Sequence, residues 1–395
     1  MSKFYRNIYS IANAKRISFL FLCVLLTACA GLGDDNTPSP AALTSYSFQF
    51  QPALLWSVAT GRGMNKDFLR LGPVIKKDQV FVANKSGYLA SVALRNGHKL
   101  WQVNLKQRIS SAPAVDKGIV VLASMKPQLI ALQAESGDLL WRASLPNQVL
   151  ASPAINQDRV VVKTVDGQVL AFALRTGQLL WSYSHGAPTL VLRPSSAPQI
   201  IGNKVLIGFS DGTLSALSLR NGGLLWERTI AFPKGVTQAD QLVDIAADPL
   251  LDRQIIYVVT YQGELAAIAL QTGQIRWQRP FSSYSGLALG KNLFISDSDG
   301  GLWSFNRSTG QLLWHNSLLQ NRGLTAPVIM GNSLVLGDKE GYLHWFAQAD
   351  GRPLARVLVH DNASIVAAPS VAYPLVCVLT QQGGLSAWTQ TTMPI

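Results

Sequence analysis

The chain is short of cysteine, of charge and of acid. Its three cysteines stand at 23, 29 and 377 among 395 residues. Cys23 lies in an N-terminal apolar run and Cys29 at its end, so the remaining chain holds only Cys377. A disulfide framework is excluded. Charged residues make up 14%, with 22 acids against 34 bases and a formal net charge of +12. The bases are scattered, without the basic stripe that nucleic acid requires. The five histidines, at 98, 185, 315, 344 and 360, form no H-x-H or H-E-x-x-H pair, so metal-ligand spacing fails. G-x-S-x-G and phosphate-loop patterns are missing, and most carboxylates stand in turns, where they are expected. No catalytic residue, metal site or cofactor is expected. The apolar run ISFLFLCVLL at 17–26 is too short to cross a bilayer as a helix.

What the chain does have is a period. TGQLLW occurs at 176–181 and again at 309–314, with relaxed copies ending at Trp101, Trp141, Trp226 and Trp277. A glycine stands 10 residues before the glycine of each copy, and a proline 14 residues before that. The frame Pro, +14 Gly, +10 Gly, +4 Trp occurs eight times. Pro127 and Gly286 depart from it, and Ala355 stands where a seventh Trp would close its copy. The last copy lacks its final piece, which Trp56 supplies from the other end of the chain. The repeat is circularly permuted.

Each unit reads as four short strands. An apolar β-branched run such as VVVKT (160–164) leads to an Asp-Gly turn, where glycine accepts positive φ. An alternating strand, QVLAFAL (168–174), follows, and a T-G or N-G turn precedes the Trp strand. Four antiparallel strands in about 40 residues are the mark of a β-propeller blade. The expected fold is therefore all-β: an eight-bladed propeller over 45–392, closed by an N-terminal strand. Trp101, Trp141, Trp181, Trp226, Trp277 and Trp314 are expected to be packing residues. Each buries roughly 150–250 Å², worth about 4–6 kcal/mol gross.

The N-terminus is a separate piece. Lys3, Arg6, Lys15 and Arg16 precede the apolar run, the pattern of a signal peptide over 1–28. The stretch Leu26-Thr27-Ala28-Cys29 resembles the bacterial lipobox, which makes Cys29 the lipidated residue. Residues 29–44, rich in Gly, Pro and Asp, read as a flexible tether. With Ala30 after the cysteine, where an Asp would signal retention at the inner membrane, the resemblance to bacterial lipoproteins implies the outer membrane.

Function is expected where the frame varies. All length variation falls between a Trp and the next proline position, with gaps of 17, 12, 12, 17, 23, 9, 13 and 14. These connections share one face of the ring, and insertions gathered on one face mark a binding face. Two long gaps are consecutive, 182–197 and 227–248. The first carries Leu190, Val191, Leu192 and Arg193, apolar anchors beside an arginine, the make-up of a protein interface. The second carries Asp240 and Asp244, placed to orient Arg193 or meet a basic partner. The long basic gap after Trp56 has no specific reading.

The blade pattern, Asp-Gly-x-L-x-A-L then T-G-x-x-x-W, resembles the propellers of quinoprotein dehydrogenases. Those have an adjacent-cysteine disulfide over the quinone, which one remaining cysteine cannot form. Over lipobox, tether and all eight blades, the chain resembles the BamB family, propeller lipoproteins of the outer-membrane β-barrel assembly machinery. In that family the two neighbouring loops bind the periplasmic POTRA region of BamA. Its L-x-L-R stretch matches Leu190, Leu192 and Arg193, and the first of its paired acids matches Asp244. Ala246 replaces the second, so that role lapses or moves to Asp248. The resemblance implies a non-enzymatic scaffold, lipid-anchored and facing the periplasm. Its partners would be BamA, other assembly components and nascent barrel proteins, with no nucleic acid. The alternatives are a lipoprotein binding a small molecule at the ring centre and a quinone-dependent dehydrogenase.

Overall fold

A computed structural model describes residues 38–61, 69–186, 192, 195–237, 239–359 and 363–391. Its strands form eight four-stranded antiparallel sheets. In chain order, seven blades span 74–104, 114–144, 154–184, 199–229, 250–281, 286–316 and 328–358. The eighth combines three strands within 370–391 with the strand Gln51–Ala59, which pairs with Gly384–Thr391. The expected eight blades and their closure by the N-terminal strand are both present.

The apolar core lies between blades. Ile119, Val121 and Leu129 of blade 2 pack on Val160, Val162 and Leu170 of blade 3, and the other clusters repeat this arrangement. Cys377 is fully buried between blades 8 and 1, and burial pushes its thiol up to about 12.

The recurrent hexapeptide is explained by contacts between neighbours. Each Trp reaches over the next blade's turn. The Trp141 indole N–H donates to the Leu174 carbonyl at 2.8 Å, and Trp181 donates to Leu219 at 2.9 Å. All seven outer-strand tryptophans bond a carbonyl one blade ahead in this way: the six of blades 1 to 6, and Trp56, which bonds Leu94 of blade 1. The turn glycine lies flat on the indole. A Cβ on Gly177, which has φ of +70°, would stand 2.5 Å from Trp141. Both the backbone angle and the close approach demand glycine. The leucine between the first Leu and the Trp is an extra residue. Ala171 pairs with Trp181 and Phe172 with Leu179, which leaves Leu180 in a β-bulge, 41% exposed. Of the six tryptophans expected to pack, Trp141 and Trp181 are buried and the other four half-buried.

Blade 7 inverts this arrangement. Elsewhere the Trp faces a small residue across the ladder, such as Ala131 opposite Trp141 or Ser91 opposite Trp101. In blade 7, Trp345 faces Ala355, so the indole has moved to the neighbouring strand. Trp345 is fully buried, and its N–H finds no acceptor. Phe50 meets it edge-on at 5.9 Å.

The segment before Gln51 completes this seam. Ala41 donates its N–H to Gln320, Arg322 and Arg356 donate to the carbonyls of Ala41 and Thr44, and Gln49 donates to Leu354. Leu43 packs beside Leu319, Leu324 and Trp314. The tether expected over 29–44 is therefore docked from Ala41 onward. Its apolar Leu43 and two arginines that capture its carbonyls outweigh the loop-like composition. The proposed signal peptide and Cys29 lie outside the described residues.

Candidate functional site

Strand direction assigns the faces of the ring. With four antiparallel strands per blade, the second turn of each blade and the connection to the next blade emerge together. The connections 185–198 and 230–249 are thus neighbours on one face, as expected.

The first connection is pinned at its base. His185 sets Nε2 at 2.8 Å from Asp211 and Nδ1 at 3.3 Å from Glu227, and its ring stacks on Phe209 at 3.9 Å. Ser215 donates to Glu227 at 2.8 Å. Beyond it, half-buried Leu192 lines a cleft of about 220 Å³ with Gln148, Lys163, Ser195 and Phe209. Leu190, Val191 and Arg193 lie outside the described residues.

Asp244 does not lie on the surface. It is 1% exposed and sits beneath the first connection, accepting the Leu192 backbone N–H and the Ser210 hydroxyl. Its Oδ1 has no partner. Burial pushes its carboxyl up to about 6, against the pull of Lys163 and these hydrogen bonds. The expectation that Asp244 meets a basic partner is corrected: the apolar residues Val243, Ile245 and Ala246 around it draw this stretch inward. Asp240 is exposed but braces its own turn, accepting from the Thr237 hydroxyl at 2.6 Å.

A buried ionic group lies behind these loops. Lys163 donates to the Gly208 carbonyl and lies 3.3 Å from Ser196. Asp248 accepts the Ala197 N–H at 2.7 Å. Ala246, where the second acid would stand, offers its carbonyl to Arg70 at 3.1 Å. Arg70 also donates to the Tyr284 carbonyl. It comes from the connection after Trp56, and blade 5, beyond Ala246, is opposite blade 1 in an eight-membered ring. The side chain therefore crosses the ring centre, where a small ligand would sit. Among the described residues, no group of His, Cys, Asp and Glu converges as a metal site.

The second connection exposes apolar groups that the sequence reading missed. Phe232 is 67% exposed and Val236 95% exposed, with Lys234 between them. The signal was present in AFPKGV, where a Pro and a Gly hold apolar residues out in a turn. Leu192, Phe232 and Val236 are thus apolar side chains on these two connections that are not fully buried.

The raised Asp244 pKa has a stability consequence. A carboxyl whose folded pKa exceeds its unfolded value binds a proton more readily when folded. Its charge is a penalty above about pH 6, relieved as pH falls toward the unfolded value. Asp244→Asn keeps an acceptor for Leu192 and removes the charge. It is expected to stabilise the fold by about 1–3 kcal/mol at pH 7.5 and by less at pH 5. Thermal unfolding at the two pH values measures this, and an equal effect at both would refute the assignment.

Comparison with known proteins agrees with this architecture. The family model described as outer membrane protein assembly factor BamB matches residues 85–316 and 288–393. The outer membrane protein assembly factor BamB of Marinobacter adhaerens is 46% identical over 377 residues, covering 95% of this chain and 96% of that one. The crystal structure of BamB from Moraxella catarrhalis superposes with a TM-score of 0.78 at 27% identity, over 86% of this chain and all of that one. Quinohemoprotein alcohol dehydrogenase from Comamonas testosteroni shares the fold alone, with a TM-score of 0.70 at 12% identity, over 87% of this chain and 78% of that one. With the family model and a near full-length relative in agreement, the chain belongs to the BamB family of outer membrane protein assembly factors.

Proposed function

We propose that this chain is a non-enzymatic scaffold lipoprotein of the outer-membrane protein assembly machinery. It is anchored through Cys29, faces the periplasm and binds the POTRA region of BamA with its loop face. The observation that carries this reading is the pairing of two neighbouring long loops. One holds Leu192, the other exposes Phe232 and Val236, and the Asp244–Leu192 hydrogen bond joins them. Apolar groups on a firm base lose little entropy on binding. Leu190 and Arg193 are assigned to the same contact by their place in the L-x-L-R stretch. The ring supplies rigidity, so its contribution is to hold partners in register.

Affinity capture of the tagged, lipidated chain from native membranes tests the proposal. The wild type is expected to retain a BamA-like barrel protein, and Leu192→Ala/Arg193→Ala to lose it. A correctly folded wild type that retains no barrel protein would remove the scaffold reading.

A further inference from the structure

The connection after Trp56 is the part of the loop face to which neither the repeat nor the family pattern gives a role. Its Arg70 bonds the two chain segments that lead into the inner strands of blades 5 and 6, at Ala246 and Tyr284. Asp248 and Asp244 supply the opposing charge, and burial lowers the Arg70 pKa against their pull. Two cations, Arg70 and Lys163, thus face two buried acids around the ring centre.

Such a group is a poor choice for stability alone. Apolar side chains of similar volume commonly serve as well or better, because burying charge costs desolvation. What the ionic group supplies is direction. A guanidinium fork fixes the carbonyls it binds at set angles. Ala246 is two residues from Asp244, and Asp244 holds the Leu192 N–H. A continuous path therefore runs from Arg70 through the 230–249 connection to the Leu192 loop.

We propose that Arg70 is a positioning residue for the partner-binding loops, setting their shape from the opposite side of the ring by its grip on Ala246 and Tyr284. Arg70 then belongs to the binding apparatus without touching the partner. This rests on the reading of the Leu192 loop as a partner contact.

The test titrates the full chain in detergent with the purified POTRA region, comparing wild type with Arg70→Met, Arg70→Lys, Leu192→Ala and Arg70→Met/Leu192→Ala. Arg70→Met is expected to weaken binding about tenfold. Arg70→Lys, which keeps the charge without the fork, should recover part of that loss. The double variant should bind no more weakly than Leu192→Ala, because both act on one loop. Amide exchange at 243–248 should quicken in Arg70→Met and Arg70→Lys while the outer strands stay protected. Wild-type affinity in a folded Arg70→Met, or losses that simply add, would overturn the proposal. Should Arg70→Met not fold, Arg70→Lys decides by the same readouts: unchanged affinity and unchanged exchange overturn it. If Leu192→Ala itself binds like wild type, the partner reading fails instead, and exchange at 243–248 still reports whether Arg70 holds the loop.

Discussion

Arg322→Ala is expected to destabilise the fold by about 3–5 kcal/mol and to lower the thermal midpoint by roughly 5–10 °C. Arg322 and Asp338 are both buried, with Nε at 2.6 Å from Oδ2, and His344 Nε2 approaches the same oxygen at 2.9 Å. Removing the guanidinium leaves an uncompensated carboxylate inside blade 7. It also frees the Ala41 carbonyl, so the docked N-terminal segment should become protease-sensitive. Lys76→Ala is the contrast. Its bond to Asp116 is also short, 2.8 Å, but exposed, and about 1 kcal/mol or less is expected. Differential scanning calorimetry separates the two, and equal midpoints would dismiss the buried triad. The triad also predicts acid sensitivity. Burial alone would raise the Asp338 carboxyl, but bonds from His344, the Tyr342 N–H and Arg322 hold it below the ordinary value. Its contribution is full above the unfolded pKa of about 4 and is lost as pH falls through the lower folded value. Burial keeps His344 below its ordinary value too, so its contribution erodes as pH drops below about 6.5.

Trp141→Ala should cost about 3–5 kcal/mol, since it empties a buried site and strands the Leu174 carbonyl. Ala355→Trp, which restores the regular frame on paper, should also destabilise, by about 1–3 kcal/mol. It sets a second indole opposite Trp345, where Phe50 already fills the space. Adding Trp345→Ala should recover much of that loss. Chemical denaturation of the four proteins checks the pattern. An Ala355→Trp variant as stable as the wild type would mean that the exchange across the ladder is incidental.

The blade count, the closing strand and the loop face were all readable in the sequence, because each follows from a fixed period and a strand direction. What was not readable required knowledge of who neighbours whom. Gly177 sits on Trp141 of the preceding blade rather than on the tryptophan of its own turn. Trp345 does the work of the missing tryptophan at 355, which only ladder register reveals. Asp244 looked like a surface acid because nothing local says that Leu192, 52 residues earlier, will close over it. Arg70 was silent because its acceptors lie 176 and 214 residues away. Cys29, Leu190 and Arg193 rest on the resemblance and lie outside the described residues.

The pairing of Gln51–Ala59 with Gly384–Thr391 has a consequence for biosynthesis. A ribosome makes the first of these strands long before the second, so the earliest propeller strand must wait unpaired for the latest. Seven blades can form as the chain emerges, each from local hairpins, but the eighth is a contact across some 330 residues. Long-range pairings form slowly, and an unpaired strand is open to wrong partners in the interval. The waiting strand carries Leu54 and Leu55, exposed even in the finished ring. The nascent chain thus has a dependence on protection that lasts until the strand Gly384–Thr391 is made, however stable the closed ring becomes afterwards.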